Sequence, residues 1–347
     1  MRIQASIMIK GMFMRTRAVM APMVTSLAED GKVTDEMCKF YRERTNNEKI
    51  GAMIVEFSYI DKEGKVTEKQ LDVSDTCDVE TLAKLPFTIH DVCGVKMILQ
   101  IGHGGKKGEG GKHPGNLTKE EIADIVKKFA ESAARAKEAG FDGIEVHGAH
   151  GYLLSQFWSP LTNERDDEYG AGSVEDRTRL HVEVIRAIRE KVGEDYPVGI
   201  RFGAVDHMEG GATLEDALKA AKILESAGYD FLDISGGMCG WTFEGAEAPG
   251  YFREDAKAIR DVLEDLIPVD PNTPPTSKLV PVITAGGVTK VADVEELLGD
   301  KVCDIVSIGR QFKEHPKWLW MEMNNLENEG PRKQMAQIMI QSRANGY

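Results

Sequence analysis

The stretch GIEVHGAHGY, residues 143–152, carries the most information about the fold. Its first residues form a short apolar run that predicts a buried strand, and two imidazoles and a phenol follow: His147, His150 and Tyr152. Histidine can donate a hydrogen bond or a proton near neutral pH, and tyrosine is a weaker acid. The small residues between them let the backbone turn sharply. The stretch therefore predicts a strand that delivers proton-handling side chains to a loop.

Similar short apolar runs recur along the chain, with helix-like stretches between them. Runs that are apolar throughout predict parallel strands covered on both faces. The predicted strands are Ala18–Met23, Ala52–Phe57, Lys96–Ile101, Gly143–His147, Val198–Phe202, Phe231–Ser235, Val280–Thr284 and Asp304–Ile308. Helix signals lie between them, such as the capping-box pattern of Thr118 with Glu121 and the terminating Gly140. The alternation predicts one (β/α)8 TIM barrel over residues 1–347, with a doubly wound open sheet as the alternative.

Composition and charge narrow the class of protein. The chain has 347 residues, of which 41% are hydrophobic and 29% charged, as expected for a globular domain with a large core. A net charge of -14 argues against a nucleic-acid or anionic membrane partner, because phosphate contacts need clustered Lys and Arg. The five cysteines include no C-x-x-C pair and predict reduced thiols in a cytoplasmic protein. Lys10, Arg15 and Arg17 break the N-terminal apolar patches, which fit neither a signal peptide nor a membrane span.

Two glycine-containing turns predict a phosphate site. Gly286 and Gly287 follow the seventh predicted strand, and Gly309 and Arg310 follow the eighth. Glycine lets backbone N–H groups approach phosphate oxygens, and arginine can pair with them. Barrels of this kind bind phosphate after these two strands and place their active sites at the carboxyl ends of the strands. Tight turns without a ligand are the alternative.

Gln100 and Arg201 end the third and fifth predicted strands and should point to the same mouth. An amide offers both a donor and an acceptor, which suits the pyrimidine edge of an isoalloxazine ring. A guanidinium would stabilise the anion of a reduced flavin, although a structural ion pair inside the barrel is the alternative for Arg201. His147 and His150 also leave a metal-dependent barrel hydrolase open, but no third ligand lies near them in the sequence.

Longer connecting segments carry further expectations. The loops at residues 102–115 and 238–250 are candidates for substrate gating, with ordinary solvent loops as the alternative. The charge-dense segment 163–170 is expected to tie down its loop through ion pairs. Residues 270–278, with three prolines, predict a surface insertion. The C-terminal segment 331–347 is a candidate packing element in a homo-oligomer.

A long segment that begins at His147 resembles the old yellow enzyme family of FMN-dependent ene-reductases. It reads HGAHGYLLSQFWSPLTNERDDEYG over residues 147–170 and continues as GSVEDR to Arg177. Shorter matches occur in the family's order: RAVMAPM at residues 17–23, LQIGH at 99–103, IR at 200–201, and the two glycine turns described above. The resemblance spans most of the chain.

The resemblance implies a single barrel that holds FMN non-covalently at its mouth, with NAD(P)H as the reductant. The implied flavin-binding residues are Pro22, Met23, Val24, Phe57, Gln100, Arg201, Gly286, Gly287, Gly309 and Arg310. His147 and His150 would bind the carbonyl oxygen of a small α,β-unsaturated substrate. Hydride would pass from flavin N5 to the β-carbon, and Tyr152 would give a proton to the α-carbon.

Two positions depart from the family's pattern. Val24 stands where Thr or Cys is usual and cannot make their polar contact to flavin O4, and Phe57 stands where a small residue is common. We expect a single-domain form, without the iron–sulfur cluster and second nucleotide-binding domain of dienoyl-CoA, enoate and bile-acid reductases. A flavin-binding redox protein without ene-reductase turnover is the second alternative for the function.

Overall fold

A closed barrel of parallel strands forms the centre of the molecule. The structure is a computed structural model that describes residues 1–45, 49–264 and 280–326. The barrel strands are β3 Ala18–Met20, β4 Ala52–Tyr59, β5 Lys96–Gly102, β6 Gly143–Gly148, β7 Val198–Val205, β8 Phe231–Gly236, β9 Val282–Ala285 and β10 Ile305–Ile308. They are hydrogen-bonded in the order β10-β3-β4-β5-β6-β7-β8-β9, and β10 closes the barrel by pairing with β3. The predicted (β/α)8 fold is confirmed.

The strand boundaries differ slightly from the predicted ones. Strand β3 ends at Met20 instead of Met23, because Pro22 has no N–H to donate to a neighbouring strand. Strand β4 runs beyond Phe57 to Tyr59. The loops at the mouth therefore begin after Met20 in β3 and after Tyr59 in β4.

The helices cover the outside of the barrel. They are α1 Asp35–Arg42, α2 Val79–His90, α3 Lys119–Glu138, α4 Leu153–Trp158, α5 Val174–Val192, α6 Leu214–Ala227, α7 Arg253–Glu264, α8 Val291–Gly299 and α9 Arg310–Glu314. The predicted capping box is confirmed at α3: Thr118 Oγ1 accepts from Glu121 N, and the Glu121 carboxylate accepts from Thr118 N. None of the helices within the described residues has the length and hydrophobicity that a membrane span requires.

A hairpin of strands β1 Ile7–Ile9 and β2 Met12–Met14 closes the amino-terminal end of the barrel. Ile9, Met12 and Met14 pack in one buried cluster with the side chains at the starts of the barrel strands. The apolar plug occupies that end, so the opposite end, where the strands finish, is left for polar groups. The mouth therefore lies at the carboxyl ends of the strands, as in other barrels of this type.

The charged segment 163–170 is tied down as predicted. Arg165 donates to the main-chain oxygens of Pro114 and Leu117 at 2.6 Å and pairs with Asp167. The predicted insertion at 270–278 and the C-terminal segment 331–347 lie outside the described residues. The homo-oligomer contact expected of the C-terminal segment stays a prediction.

Candidate active site

Strand β6 and the loop after it bring His147, His150 and Tyr152 together. The ring centres of His147 and His150 are 5.0 Å apart, and those of His147 and Tyr152 are 4.9 Å apart. His150 and Gly151 both have left-handed backbones, with φ of 59° and 66°. The chain therefore reverses immediately after the strand, which returns Tyr152 to the side of His147.

Hydrogen bonds indicate which ring nitrogen of each histidine faces the site. His147 Nδ1 accepts from Ala149 N at 3.2 Å, so a neutral ring carries its proton on Nε2. His150 Nε2 lies 2.8 Å from Ser235 Oγ. Burial, with the positive charge of Arg201 as the next cause, holds the pKa of both histidines well below the usual value. Both rings are therefore neutral near pH 7, and each can donate one N–H.

Phe57 lies against the same group of side chains. Its ring centre is 4.9 Å from that of Tyr152 and 5.1 Å from that of His147. The family resemblance assigns this position to the flavin, and the structure places the ring against His147 and Tyr152, which the resemblance assigns to the substrate. Burial raises the pKa of Tyr152, which keeps its hydroxyl protonated. Tyr152 can therefore act as a proton donor.

A buried polar network lies below this group, inside the barrel. Gln100 Nε2 donates to Glu145 Oε1 at 2.7 Å, and Arg201 Nε lies 3.6 Å from Asp233 Oδ2. Arg201 therefore does form an ion pair inside the barrel, which was the structural alternative for this residue. Burial raises the pKa of both carboxyl groups, and the negative charge of Asp233 raises the pKa of Glu145 further. Arg201 Nε makes no hydrogen bond among the described residues, so its contact with Asp233 is an ion pair only.

The predicted phosphate turns come together, and Tyr251 joins them. Gly286 and Gly287 have φ of 121° and 63°, which only glycine adopts readily. Arg310 Nη2 donates to Tyr251 Oη at 2.6 Å. A Cβ built on Gly286 would lie 2.6 Å from Tyr251 Cγ. The glycine turns and Arg310 therefore lie together, as the sequence predicted. We call Gly286, Gly287, Gly309 and Arg310 the cradle. Nothing in the sequence indicated that Tyr251 joins them.

The loop that follows β3 packs against this cradle. A Cβ on Gly309 would lie 2.8 Å from Met23 Sδ, and Lys313 Nζ donates to the main-chain oxygen of Val24 at 3.0 Å. Pro22 is partly buried, and the Val24 side chain is 37% exposed. These contacts bring the predicted flavin-lining residues beside the predicted phosphate-binding residues.

The two long loops meet over the turn after β6. Lys107 Nζ donates to the main-chain oxygen of His150 at 2.7 Å. A Cβ on Gly151 would lie 3.0 Å from the same Nζ and 3.4 Å from Met238 Sδ. Each predicted gating loop thus contributes a residue to the rim of the site, and gating itself stays a prediction.

Known proteins share both the sequence pattern and the fold of this chain. The model of the NADH:flavin oxidoreductase / NADH oxidase family matches residues 3–114 and 108–329. The chain belongs to this family. It is 36% identical to an NADH oxidase of Thermoanaerobacter brockii, with 92% of this chain and 50% of that protein covered. It is 34% identical to an NADPH dehydrogenase of Clostridium acetobutylicum, with 91% and 93% covered. The chain thus spans half the length of the first relative and nearly all of the second.

Two solved structures share the fold. A 2-naphthoyl-CoA reductase in complex with 2-naphthoyl-CoA superposes with a TM-score of 0.79 at 24% identity, covering 91% of this chain and 51% of that one. An old yellow enzyme homologue from Zymomonas mobilis superposes with a TM-score of 0.74 at 23% identity, covering 90% of both chains. These two structures show the shared fold, and the family match together with the relatives above confirms the old yellow enzyme resemblance.

Membership of this family makes FMN the cofactor and NADH or NADPH the reductant. The chemistry of the residues present fits FMN: Gly286 and the Arg310 guanidinium both lie against Tyr251, and the positive charge of Arg201 acts on His147 and His150 at the mouth. In the part of the chain that the structure describes, no group of three or more His, Cys, Asp or Glu side chains is arranged to hold a metal ion. The metal-hydrolase alternative gains no support.

Proposed function

We propose that this protein is an FMN-dependent NAD(P)H oxidoreductase that reduces the activated C=C bond of an α,β-unsaturated carbonyl compound. The observation that carries the proposal is the grouping of His147, His150 and Tyr152 at the mouth, with ring centres about 5 Å apart. Two neutral N–H donors and one phenol are the groups that polarising a carbonyl and protonating a carbon require.

The two histidines would bind the carbonyl oxygen of the substrate. His147 presents Nε2–H because its Nδ1 is engaged by Ala149 N. Ser235 orients His150 through its Nε2, which leaves Nδ1 for the substrate when the serine hydroxyl donates. Negative charge develops on the carbonyl oxygen as the C=C bond is reduced, and both donors stabilise it. Their lowered pKa keeps them neutral donors that do not hand over a proton first.

Tyr152 would supply the proton that completes the reduction. Its raised pKa keeps the hydroxyl protonated until charge accumulates on the substrate. Phe57 packs against both Tyr152 and His147, so it limits water at the point of proton transfer. When bound, FMN supplies the hydride that the substrate's β-carbon receives.

The remaining polar residues of the mouth would hold FMN. The Gln100 amide oxygen would accept from the pyrimidine edge, because the Gln100 amide nitrogen is bound to Glu145. Arg201 would stabilise the negative charge of the reduced ring at its N1 and O2 side. Gly286, Gly287 and Arg310 would bind the ribityl phosphate.

The first test is the absorption spectrum of the purified protein, followed by anaerobic addition of NADH or NADPH and then of cyclohexenone. We expect a flavin spectrum that bleaches with the nicotinamide nucleotide and recovers with the enone, with the saturated ketone as product. A protein that binds FMN and is reduced, but is reoxidised by no enone, would instead support the redox-protein alternative. Failure to bind FMN on reconstitution would contradict the whole proposal.

The second test is Tyr152→Phe, which removes only the hydroxyl. We expect reoxidation of the reduced flavin by cyclohexenone to slow by about a hundredfold or more, because general acid catalysis contributes that much. Stopped-flow absorbance measures this step separately from reduction by the nicotinamide nucleotide. An unchanged reoxidation rate would show that another group donates the proton.

A further inference from the structure

Lys107 lies at the mouth, beside the residues that the proposed function assigns to the substrate. It ends a 3-10 turn, Gly105–Lys107, in the loop after β5. Its Nζ donates to the main-chain oxygen of His150 at 2.7 Å and lies 5.4 Å from the centre of the Tyr152 ring. The ammonium group is therefore next to both the carbonyl-binding and the proton-donating side chains.

Gln156, on helix α4, fixes the position of this turn. Its Oε1 accepts from Lys106 N at 3.2 Å, and its Nε2 donates to the main-chain oxygen of Gly151 at 2.8 Å. Gly105 has a φ of 62°, and a Cβ there would lie 2.6 Å from Gln156 Oε1. The side chain of Gln156 thus joins the lysine turn to the loop of the histidines, and the close packing requires glycine.

Lys107 differs from Lys112, in the same loop, in having no acidic partner among the residues that the structure describes. Lys112 Nζ lies 2.7 Å from Glu121 Oε1, and that bond raises the pKa of Lys112. Within residues 1–45, 49–264 and 280–326, no carboxylate pairs with Lys107, and burial is the cause that lowers its pKa. Lys107 is exposed, and its Nζ is held by the main-chain oxygen of His150 instead of by a carboxylate, so its charge is available to a ligand at the mouth.

The charge of Lys107 also reaches the histidines. After burial and Arg201, it is a further cause that lowers the pKa of His147 and His150. An anion bound to Lys107 would partly cancel the lowering of the histidine pKa values. It would also give the ammonium group the opposite charge that no carboxylate among the described residues provides. Charge-assisted hydrogen bonds of this kind are about twice as strong as neutral ones.

We propose that Lys107 binds an anionic group of the substrate, and that the preferred substrates are α,β-unsaturated carbonyl compounds with a carboxylate on the α-carbon side. This inference rests on the proposed function, in which His147 and His150 hold the carbonyl oxygen and Tyr152 faces the α-carbon. The phosphates of the nicotinamide nucleotide are a second source of negative charge. The experiment below separates the two sources.

The test compares two cyclohexenones that differ only in charge: one carries an acetate group on its α-carbon, and the other carries the matching acetamide. Each is titrated into the oxidised, FMN-loaded protein, with binding read from the flavin spectrum. Each is then mixed with the reduced protein to follow reoxidation. The variants are Lys107→Met, Lys107→Arg, which keeps the charge, and Lys112→Gln, which removes a lysine of the same loop that is paired with Glu121.

We expect the unmodified protein to bind the acetate about threefold more tightly than the acetamide, which is the gain that an ion pair with an exposed lysine provides. Lys107→Met should bring this ratio close to one, whereas Lys107→Arg and Lys112→Gln should retain it. The preference should also weaken as salt is added, because ions screen the interaction.

Two results would overturn the inference. One is the same acetate-to-acetamide ratio in the unmodified protein and in Lys107→Met. The other is weaker NADPH binding in Lys107→Met with an unchanged ratio, which would assign Lys107 to the nucleotide phosphates. Failure of the proposed function is distinguishable: neither compound would then reoxidise the flavin in any variant, while the binding titration would still report on Lys107.

Discussion

His150 has a left-handed backbone, with a φ of 59°, which a non-glycine residue adopts at a cost of roughly 1 kcal/mol or more. Strand β8 holds it in that conformation from two directions. His150 N donates to the main-chain oxygen of Gly236 at 3.0 Å, and the imidazole bonds to Ser235 Oγ. The strain places the ring beside His147 and Tyr152. Strain that its neighbours offset in this way supports the role proposed for His150.

At the same scale, Val24 predicts a low flavin potential. Its isopropyl group cannot donate a hydrogen bond to the flavin, and the Val24 position is 37% exposed, so Val24→Thr adds a hydroxyl without burying it. A donor to O4 favours the reduced ring, which carries more negative charge. We therefore expect Val24→Thr to raise the two-electron reduction potential of the bound flavin by about 20 mV, because a hydrogen bond contributes about 1 kcal/mol. Reductive titration against a reference dye measures the change.

Val24→Ile serves as the control, because it changes the size of the side chain without adding a donor. Its potential should stay within a few millivolts of that of the unmodified protein. A potential for Val24→Thr that is unchanged or lower would mean that residue 24 does not face the flavin carbonyl.

At the scale of elements, apolar runs sufficed to predict the strands because each barrel strand is buried on both faces. Hydrophobic patterning did not predict which residues form hydrogen bonds or ion pairs with the buried polar side chains. Glu145 could be read within its strand, but its contact with Gln100 depends on the register in which β5 and β6 pair. Asp233 meets Arg201 for the same reason, since the two residues are opposite each other in β7 and β8. Sequence predicts which residues end a strand, and register decides which of them meet.

The sequence also did not predict the position of Tyr251, because this residue lies in a long loop. Tyr251 reaches the phosphate cradle from the connection between β8 and α7, which brings it against Gly286 and Arg310. No periodicity governs the path of a long loop, so the sequence offered no signal for this contact beyond the tyrosine itself. The glycines of the cradle were predictable because short turns after parallel strands demand them.

The cradle provides the prediction at this scale. Gly286→Ala places a Cβ 2.6 Å from Tyr251 Cγ on a backbone with a φ of 121°. We expect FMN binding to weaken at least tenfold and the free energy of unfolding to fall by about 1–3 kcal/mol. Fluorescence titration of the apoprotein with FMN measures the first, and thermal unfolding the second.

Gly172→Ala is the matched control, because no heavy atom lies within 4 Å of a Cβ at that position. It should leave FMN affinity unchanged. FMN affinity in Gly286→Ala equal to that of the control would show that the phosphate binds elsewhere.

At the scale of the whole molecule, buried histidines make the stability of the fold depend on pH. Burial lowers the pKa of His103 and of His181 to about 4, and it also lowers the pKa of His147 and His150. In the unfolded chain each histidine would titrate near 6.5. Between these values the unfolded state binds more protons than the folded state, so stability falls as the pH drops from about 6.5 to about 4.

His181 isolates one part of this dependence, because it is fully buried in α5 and neither ring nitrogen has a hydrogen-bond partner among the described residues. Through His181 alone, the free energy of unfolding should fall by about 3 kcal/mol as the pH drops from 6.5 to 4. His181→Gln, which cannot titrate, should flatten the dependence by that amount, even though burying an amide lowers stability at every pH. Thermal unfolding at constant excess FMN, with the exposed His315→Gln as control, measures both slopes. Equal slopes in the two variants would mean that unfolding does not change the protonation of His181 in this range, and that the acid sensitivity arises from the other buried histidines, His103, His147 and His150.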